Sequence, residues 1–276
     1  MSFLSAVAIA EKRIGKPAEG IYSGRSQVVL ERSWIQFKSS AWIVVLSGFI
    51  EPLLNLMVFG FGVGQFIGEI KLDNGVSVSY AAFVVPGLLA SAAMMGAIMD
   101  ATWNVFFKIH ESRLYHAMLA TSLGPLDVAL GEIAWALLRG AFYSTAFMAV
   151  VTPLGLIKSW WALLAIPAGA LIGFGFAAIG MACTSYMTSF QHMGMINIVI
   201  LPITLFSGSF FPLSVLPEWL ANIVRWTPLT QGIDLMRMLT LGTVNSSIFV
   251  HLVYFGLFIA GGLYLTTRRL NALFMK

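Results

Sequence analysis

Residues 160–185 read WWALLAIPAGALIGFGFAAIGMACTS, 26 positions without one Asp, Glu, Lys or Arg. A helix needs about 20 mostly apolar residues to cross the hydrocarbon core of a bilayer. Lipid offers the backbone no hydrogen-bond partner, so an isolated run of this length must satisfy its own N–H and C=O groups as a helix. Five further windows have the same character, 41–67, 81–103, 131–153, 192–211 and 247–267. The whole chain is 10% charged and 58% hydrophobic, against about 25% charged in a soluble domain. So few polar groups cannot cover a water-facing surface. The fold class predicted is an all-α polytopic membrane protein with six transmembrane helices between residues 41 and 267.

Six crossings put both termini on one side, and Lys and Arg choose which. Eleven of them lie on the face that holds the termini and the loop after the second span, including Lys12, Arg13, Arg25, Lys108, Arg113 and Arg268. Four lie opposite, Lys71, Lys158, Arg225 and Arg237, and Arg139 falls inside the third span. Both termini are thus expected in the cytoplasm, with the chain in the cytoplasmic membrane. No cleavable signal is apparent, because SFLSAVAIA precedes Lys12 and Arg13 rather than following them. The net charge of +4 is spread along these loops and points to no nucleic-acid partner. The single cysteine, Cys183, excludes an intrachain disulfide and is expected to pack as a small buried residue.

Residues 1–23 contain Gly15, Pro17 and Gly20 and read as a flexible cytoplasmic lead. In RSQVVLERSWIQFKSSAW, Leu30, Trp34, Phe37 and Ala41 recur at helical spacing. The segment 24–40 is expected as an amphipathic helix in the inner interface, or as a cytoplasmic extension of the first span. Residues 268–276 form a short basic tail. The connection 212–246 is too broken to cross a membrane and too apolar for a free loop. Pro217 and Glu218 suit the start of one helix, with Leu216, Leu220 and Ile223 on its packing face and Trp219 and Trp226 as interfacial anchors. A second helix follows Pro228, with Asp234 and Arg237 one turn apart and Gly242 as its stop. The pair reads as a helical hairpin dipping back into the outer leaflet. Phe210, Phe211, Pro212, Trp219, Leu220 and Arg237 are its candidate exit residues.

Three ionisable groups lie within spans, Glu51 before Pro52, Asp100 and Arg139. A central charge costs at least about 2.5–3.5 kcal/mol on insertion scales, so pairing or water access is expected. Either a Glu51–Arg139 pair pins the bundle or the three groups line a path. The inner loop 104–130 carries Lys108, His110, Glu111, Arg113, Leu114 and His116. His110 and His116 fall on different helix faces, so they make no metal site. No nucleophile stands beside His110 and Glu111, so no catalytic residue is expected. The loop reads as a short docking helix ended by Gly124–Pro125. No GxxxxGK[ST], HExxH or GxSxG occurs in the chain. The glycines of FGFGVGQF and of GALIGFGFAAIG lie in apolar spans and suit close helix packing.

Several stretches together resemble the permease subunits of type-2 ATP-binding-cassette exporters. They are EPLLNLMVFGFGVGQFI, YAAFVVPGLLASAAMMGA, LGPLDVALGEIAWALLRG and LFSGSFFPLSVLP followed by TPLTQGIDLMRMLTLG. Their order, from about residue 28 to 270, is most similar to the nodulation-type lipo-oligosaccharide and drug-resistance permeases. Where those often have PLxH, this chain has PLTQ, with Gln231 after Thr230. The resemblance implies two separate cytoplasmic ATPase subunits that hold ATP and Mg, with no cofactor bound by this chain. It further implies a second copy or a like permease, and contact of the ATPases with the interfacial helix and loop 108–123. The expected function is outward transport of a glycolipid, lipid-linked saccharide or hydrophobic drug, without enzymatic chemistry. Two other classes stay open from the residues. One is an ion-coupled secondary transporter using Glu51 or Asp100, and the other an intramembrane enzyme, for which no catalytic pair is found.

Overall fold

A computed structural model describes residues 24–71, 75, 77–112 and 114–274, with only the backbone course at 39–49, 51, 116 and 274. The expected lead over 1–23 lies outside the described residues, as does Arg113. The rest is helix joined by short turns, plus one small hairpin. Helix α1 (Ser26–Asn55) continues through a π-helical stretch (Leu56–Val63) into the short α2 (Gly64–Ile67). Strands β1 (Glu69–Lys71) and β2 (Ser77–Ser79) pair antiparallel, Ile70 opposite Val78. Helix α3 (Tyr80–Met99) runs through a second π-helical stretch (Asp100–Asn104) into α4 (Val105–His110). Then come α5 (Leu114–Leu119), α6 (Pro125–Val151), a 3-10 turn (Trp160–Leu164) and α7 (Ala165–Tyr186). The chain closes with α8 (His192–Phe206), a 3-10 turn (Leu213–Val215), α9 (Glu218–Arg225), α10 (Pro228–Leu241) and α11 (Ile248–Phe274).

Among the described residues, four helical stretches are long and apolar enough to cross a membrane, Tyr80–His110, Pro125–Val151, Trp160–Tyr186 and Ile248–Leu273. The other two expected spans correspond to shorter apolar helices, Pro52–Ile67 and His192–Phe206. Helix α8 ends five residues before the expected boundary at 211. Gly208 takes a φ of +78°, open to glycine at little cost, and the chain turns there. No break separates the expected interfacial helix from the first apolar run, because α1 passes unbroken through residues 40 and 41. The tail likewise belongs to α11, which holds Arg268 and Arg269.

Helix α3 is the hub. From Tyr80 to Ala90 every side chain is buried, so an evenly apolar sequence is what the position demands. Small residues let the helices approach one another. A Cβ on Gly173 would lie 3.6 Å from the Ala93 carbonyl oxygen, and one on Gly262 would meet Ala178 at 2.7 Å. Gly60 faces Ala81 and Gly64 faces Tyr80, whereas Gly62 points away from the neighbouring helices. Cys183 is exposed on α7, contrary to the expected buried packing.

Burial shows which faces of two helices meet the protein. Between residues 26 and 38 of α1 the buried side chains are Val29 and Ser33, with Leu30 only half-buried. Trp34 and Phe37 instead stack with Phe142 and meet Trp135 edge-on, both on α6. On α9 Val224 is buried and Leu220 half-buried, while Ile223 is 61% exposed beside Trp219 and Trp226. The apolar side chains of α9 thus fall on two faces, one toward the protein and one away from it.

Candidate functional site

The π-helical stretch at Asp100–Asn104 adds a residue to the turn and so changes which side chains face α6. It carries Asp100, buried among apolar neighbours, onto Arg139 of α6 at 2.5 Å. Asn104 donates to the same carboxylate oxygen, and Arg139 Nη2 reaches the Tyr143 hydroxyl at 3.3 Å. Arg139 is thus paired with Asp100, a partner the expected Glu51–Arg139 pair did not name. The Glu51 side chain lies outside the described residues. Arg139 and Tyr143 form one wall of a cavity of about 640 Å³. Pro52 and Asn55 of α1, Ser91 and Met95 of α3, and Asn197 and Thr204 of α8 line the rest, and Phe210 lies across one end.

Past Phe210 the turn 207–212 divides this cavity from a second one. This second chamber, on the side expected to be outer, has a volume of about 980 Å³ and is lined by Lys71, Phe83, Pro212, Leu213, Glu218, Asn222, Arg225, Asp234, Arg237 and His251, among others. Four side chains hold the dividing turn. Tyr80 donates to the Phe210 carbonyl at 2.9 Å and Thr230 to that of Ser207 at 3.1 Å. Arg237 donates to the Gly208 carbonyl at 3.0 Å, and Ser91 meets Ser209 at 3.3 Å. Ser209 is seated where a Cβ on Gly87 would come within 2.7 Å of its Cα. Gln231 bridges two helices here: its amide donates to the Arg225 carbonyl, and its Oε1 lies 2.6 Å from His251 Nδ1. Of the expected exit residues, Phe210, Phe211, Pro212 and Arg237 gather at this turn and chamber, whereas Leu220 is half-buried on α9 outside the chamber lining and Trp219 faces outward.

At the other end the expected docking helix is two pieces. Helix α4 stops at His110, whose Nε2 contacts the Met187 carbonyl at 3.0 Å, and Glu111 and Ser112 turn the chain. Glu111 is exposed, whereas Leu114 is half-buried and Tyr115 fully buried. Lys108 does not face outward with Glu111, because it pairs with Glu132 of α6 at 2.6 Å. Burial, reinforced by the neighbouring Glu132 charge, pushes the Tyr115 phenol well above its ordinary range. It therefore stays a neutral hydroxyl beside that carboxylate. Asp127 accepts from the Gly124 amide at 2.9 Å and from the Arg25 amide at 2.7 Å, tying the start of α1 to that of α6.

Sequence reasoning missed Glu132, Tyr115 and Asp127. Glu132 was visible in principle, two turns before Arg139 and so on the same face of α6. Lys108→Glu is expected to lower the thermal midpoint by several degrees through charge repulsion with Glu132. Lys108→Glu combined with Glu132→Lys should recover most of it, as read by melting in detergent. Equal loss in the single and double variants would mean the pair contributes nothing.

The ABC-2 type transporter family matches residues 25–241. Nodulation protein J of Rhizobium leguminosarum bv. trifolii is 35% identical over 216 residues, 78% of this chain and 80% of that protein. Nodulation protein J of Rhizobium leguminosarum bv. viciae is 30% identical over 250 residues, covering 90% and 94%. Inner membrane transport permease YadH of Escherichia coli (strain K12) is 25% identical over 209 residues, covering 73% and 77%.

Proposed function

The chain belongs to the ABC-2 type transporter family, and from that premise we propose that it is the membrane subunit of an ATP-driven exporter. Its cargo is an amphiphile: a glycolipid, a lipid-linked saccharide or a hydrophobic drug. The cavity behind the Phe210 turn carries this reading. Its wall is largely apolar, yet Asn55, Ser91, Asn197, Thr204 and the Asp100-paired Arg139 supply hydrogen bonds along it. An amphiphile needs both surfaces, and the turn 207–212 closes the outward end.

ATP and Mg are held by two cytoplasmic ATPase subunits, and this chain performs no covalent step. Those subunits dock at the start of α1 and at Glu111 to Leu119, where the Lys108–Glu132 pair and Asp127 carry their motion into α6. A second copy, or a like permease, packs against α8, whose Met195, Ile198, Val199 and Leu201 are exposed. In this reading the two shorter apolar helices, Pro52–Ile67 and His192–Phe206, join the four long ones as crossings, and both termini are cytoplasmic. The test is to purify the chain with the ATPase encoded beside its gene and screen amphiphiles in proteoliposomes. Hydrolysis stimulated by a cargo that then crosses the bilayer is expected. Transport that follows an ion gradient and ignores ATP would overturn the reading.

In this arrangement α9 roofs the outer chamber and rests its other face in the outer leaflet. Single cysteines on a Cys183→Ala background should therefore fall into three classes. Positions 218, 222 and 225 react quickly with a water-soluble maleimide from outside. Positions 219, 223 and 226 react quickly only with a lipid-soluble reagent, and positions 220 and 224 with neither. Uniform fast reaction with the water-soluble reagent would mean a solvated loop, and reaction from the cytoplasm would invert the topology.

A further inference from the structure

We infer that Arg237 is the latch that keeps the turn 207–212 shut, an inference that rests on the exporter reading only for what the turn closes. Three of the side chains holding the turn, Tyr80, Ser91 and Thr230, are neutral hydroxyls. Arg237 is the cation among these four, and hydrogen bonds with an ionised donor are about twice as strong as neutral ones. Its guanidinium is fixed on three sides. The Phe83 ring lies 4.5 Å away beneath it, Asp234 accepts at 3.2 Å one helical turn earlier, and the Gly208 carbonyl accepts at 3.0 Å.

The acceptor it holds is the residue on which the turn depends. Gly208 is buried and stands at a φ of +78°, where the chain leaves α8 and folds back. Releasing its carbonyl frees the one point at which the backbone reverses. Arg237 also lines the outer chamber, whereas Tyr80, Ser91 and Thr230 do not. The latch is thus the hold on the turn that can be reached from outside. Arg237 touches no cargo in this account and acts as a positioning residue.

The test reads the turn itself, in the purified full chain in lipid nanodiscs without ATPase or cargo. Ser209 is fully buried, so Ser209→Cys on a Cys183→Ala background should resist a water-soluble maleimide. Adding Arg237→Gln should speed its labelling by about tenfold or more, the effect of losing one charge-assisted hydrogen bond. Arg237→Lys keeps the charge without the fork or the stacking and should fall between. Phe83→Leu removes the platform and leaves Arg237 in place, so it should also accelerate labelling. A second buried reporter, Ser144→Cys in α6, separates a latch from general loosening and should not change. Should Arg237→Gln fail to fold, Arg237→Lys and Phe83→Leu decide the matter. Unchanged labelling of Ser209→Cys, or equal acceleration at both reporters, overturns the latch. Either result leaves the exporter reading standing, because no transport is measured.

Discussion

Replacing Arg139 with leucine is expected to remove most of the folded protein, while replacing Asp100 by asparagine as well should restore it. Asp100 is buried and accepts from Arg139 at 2.5 Å. Taking away the cation leaves a buried carboxylate with Asn104 as its hydrogen-bond donor and Glu132 as a like-charged neighbour, which costs about 3–5 kcal/mol. A domain is stabilised by only about 5–15 kcal/mol in all, so the single substitution consumes a large part of it. Removing both charges is often neutral, since neither then has to be desolvated. Fluorescence-detected size exclusion and the thermal midpoint in detergent would read the difference. Equal and independent defects in the two single variants, with no recovery in the double, would mean that each group is solvated in the cavity. The pair would then not pin α3 to α6.

That experiment also marks where the sequence stops being legible. The apolar runs predicted the four long membrane-spanning helices because a run of 20 or more apolar residues has one physical outcome in lipid. Helix starts and stops in the outer connection were legible for the same local reason: Pro217, Pro228 and Gly242 act on their own backbone, and the helices end there. The partner of Arg139 was not. Which carboxylate meets it depends on the register of α3 against α6, and the π-helical stretch at Asp100–Asn104 shifts that register without a strong local signal. The break in the expected docking helix was hidden for a related reason. Lys108 and Glu111 look alike in a charged loop, yet the turn after His110 separates them and Glu132, twenty-four residues on, claims the lysine.

The seating of α1 on α6 has a simpler cause. Leu30, Trp34 and Phe37 form the stripe expected to face the interface, whereas Val29 and Ser33 are the side chains buried against the protein. What decides the matter is the shape of α6, where Gly131 leaves a notch that only a close, compact neighbour can fill. Val29 enters it, and the aromatic residues one position along spread over the rim formed by Trp135 and Phe142. The glycine was visible in LGPLDVALGEIAWALLRG, but its partner was not, because a notch accepts any side chain that arrives in phase.

Filling that notch should therefore separate motion from transport. A Cβ at residue 131 would lie 2.4 Å from Val29 Cβ and 2.8 Å from the Ser26 carbonyl oxygen, closer than atoms can pack. Gly131→Leu must push α1 away from α6, an overpacking that costs about 1–3 kcal/mol. Part of this is offset within α6, where leucine favours the helix over glycine by about 1 kcal/mol or less. The fold should survive with a midpoint lowered by a few degrees. The Arg25 amide would lose its 2.7 Å bond to Asp127, and Trp34 and Phe37 would leave the rim. If α1 and loop 108–123 carry the ATPase stroke together, the partner should still hydrolyse ATP at its basal rate. Cargo would then no longer stimulate it, and export would fall at least tenfold. Gly131→Ala, a smaller intrusion at the same point, should give a partial loss of the same kind. Normal cargo-stimulated hydrolysis in Gly131→Leu would show that α1 is a passive anchor, leaving the stroke to the Lys108–Glu132 side of α6 alone.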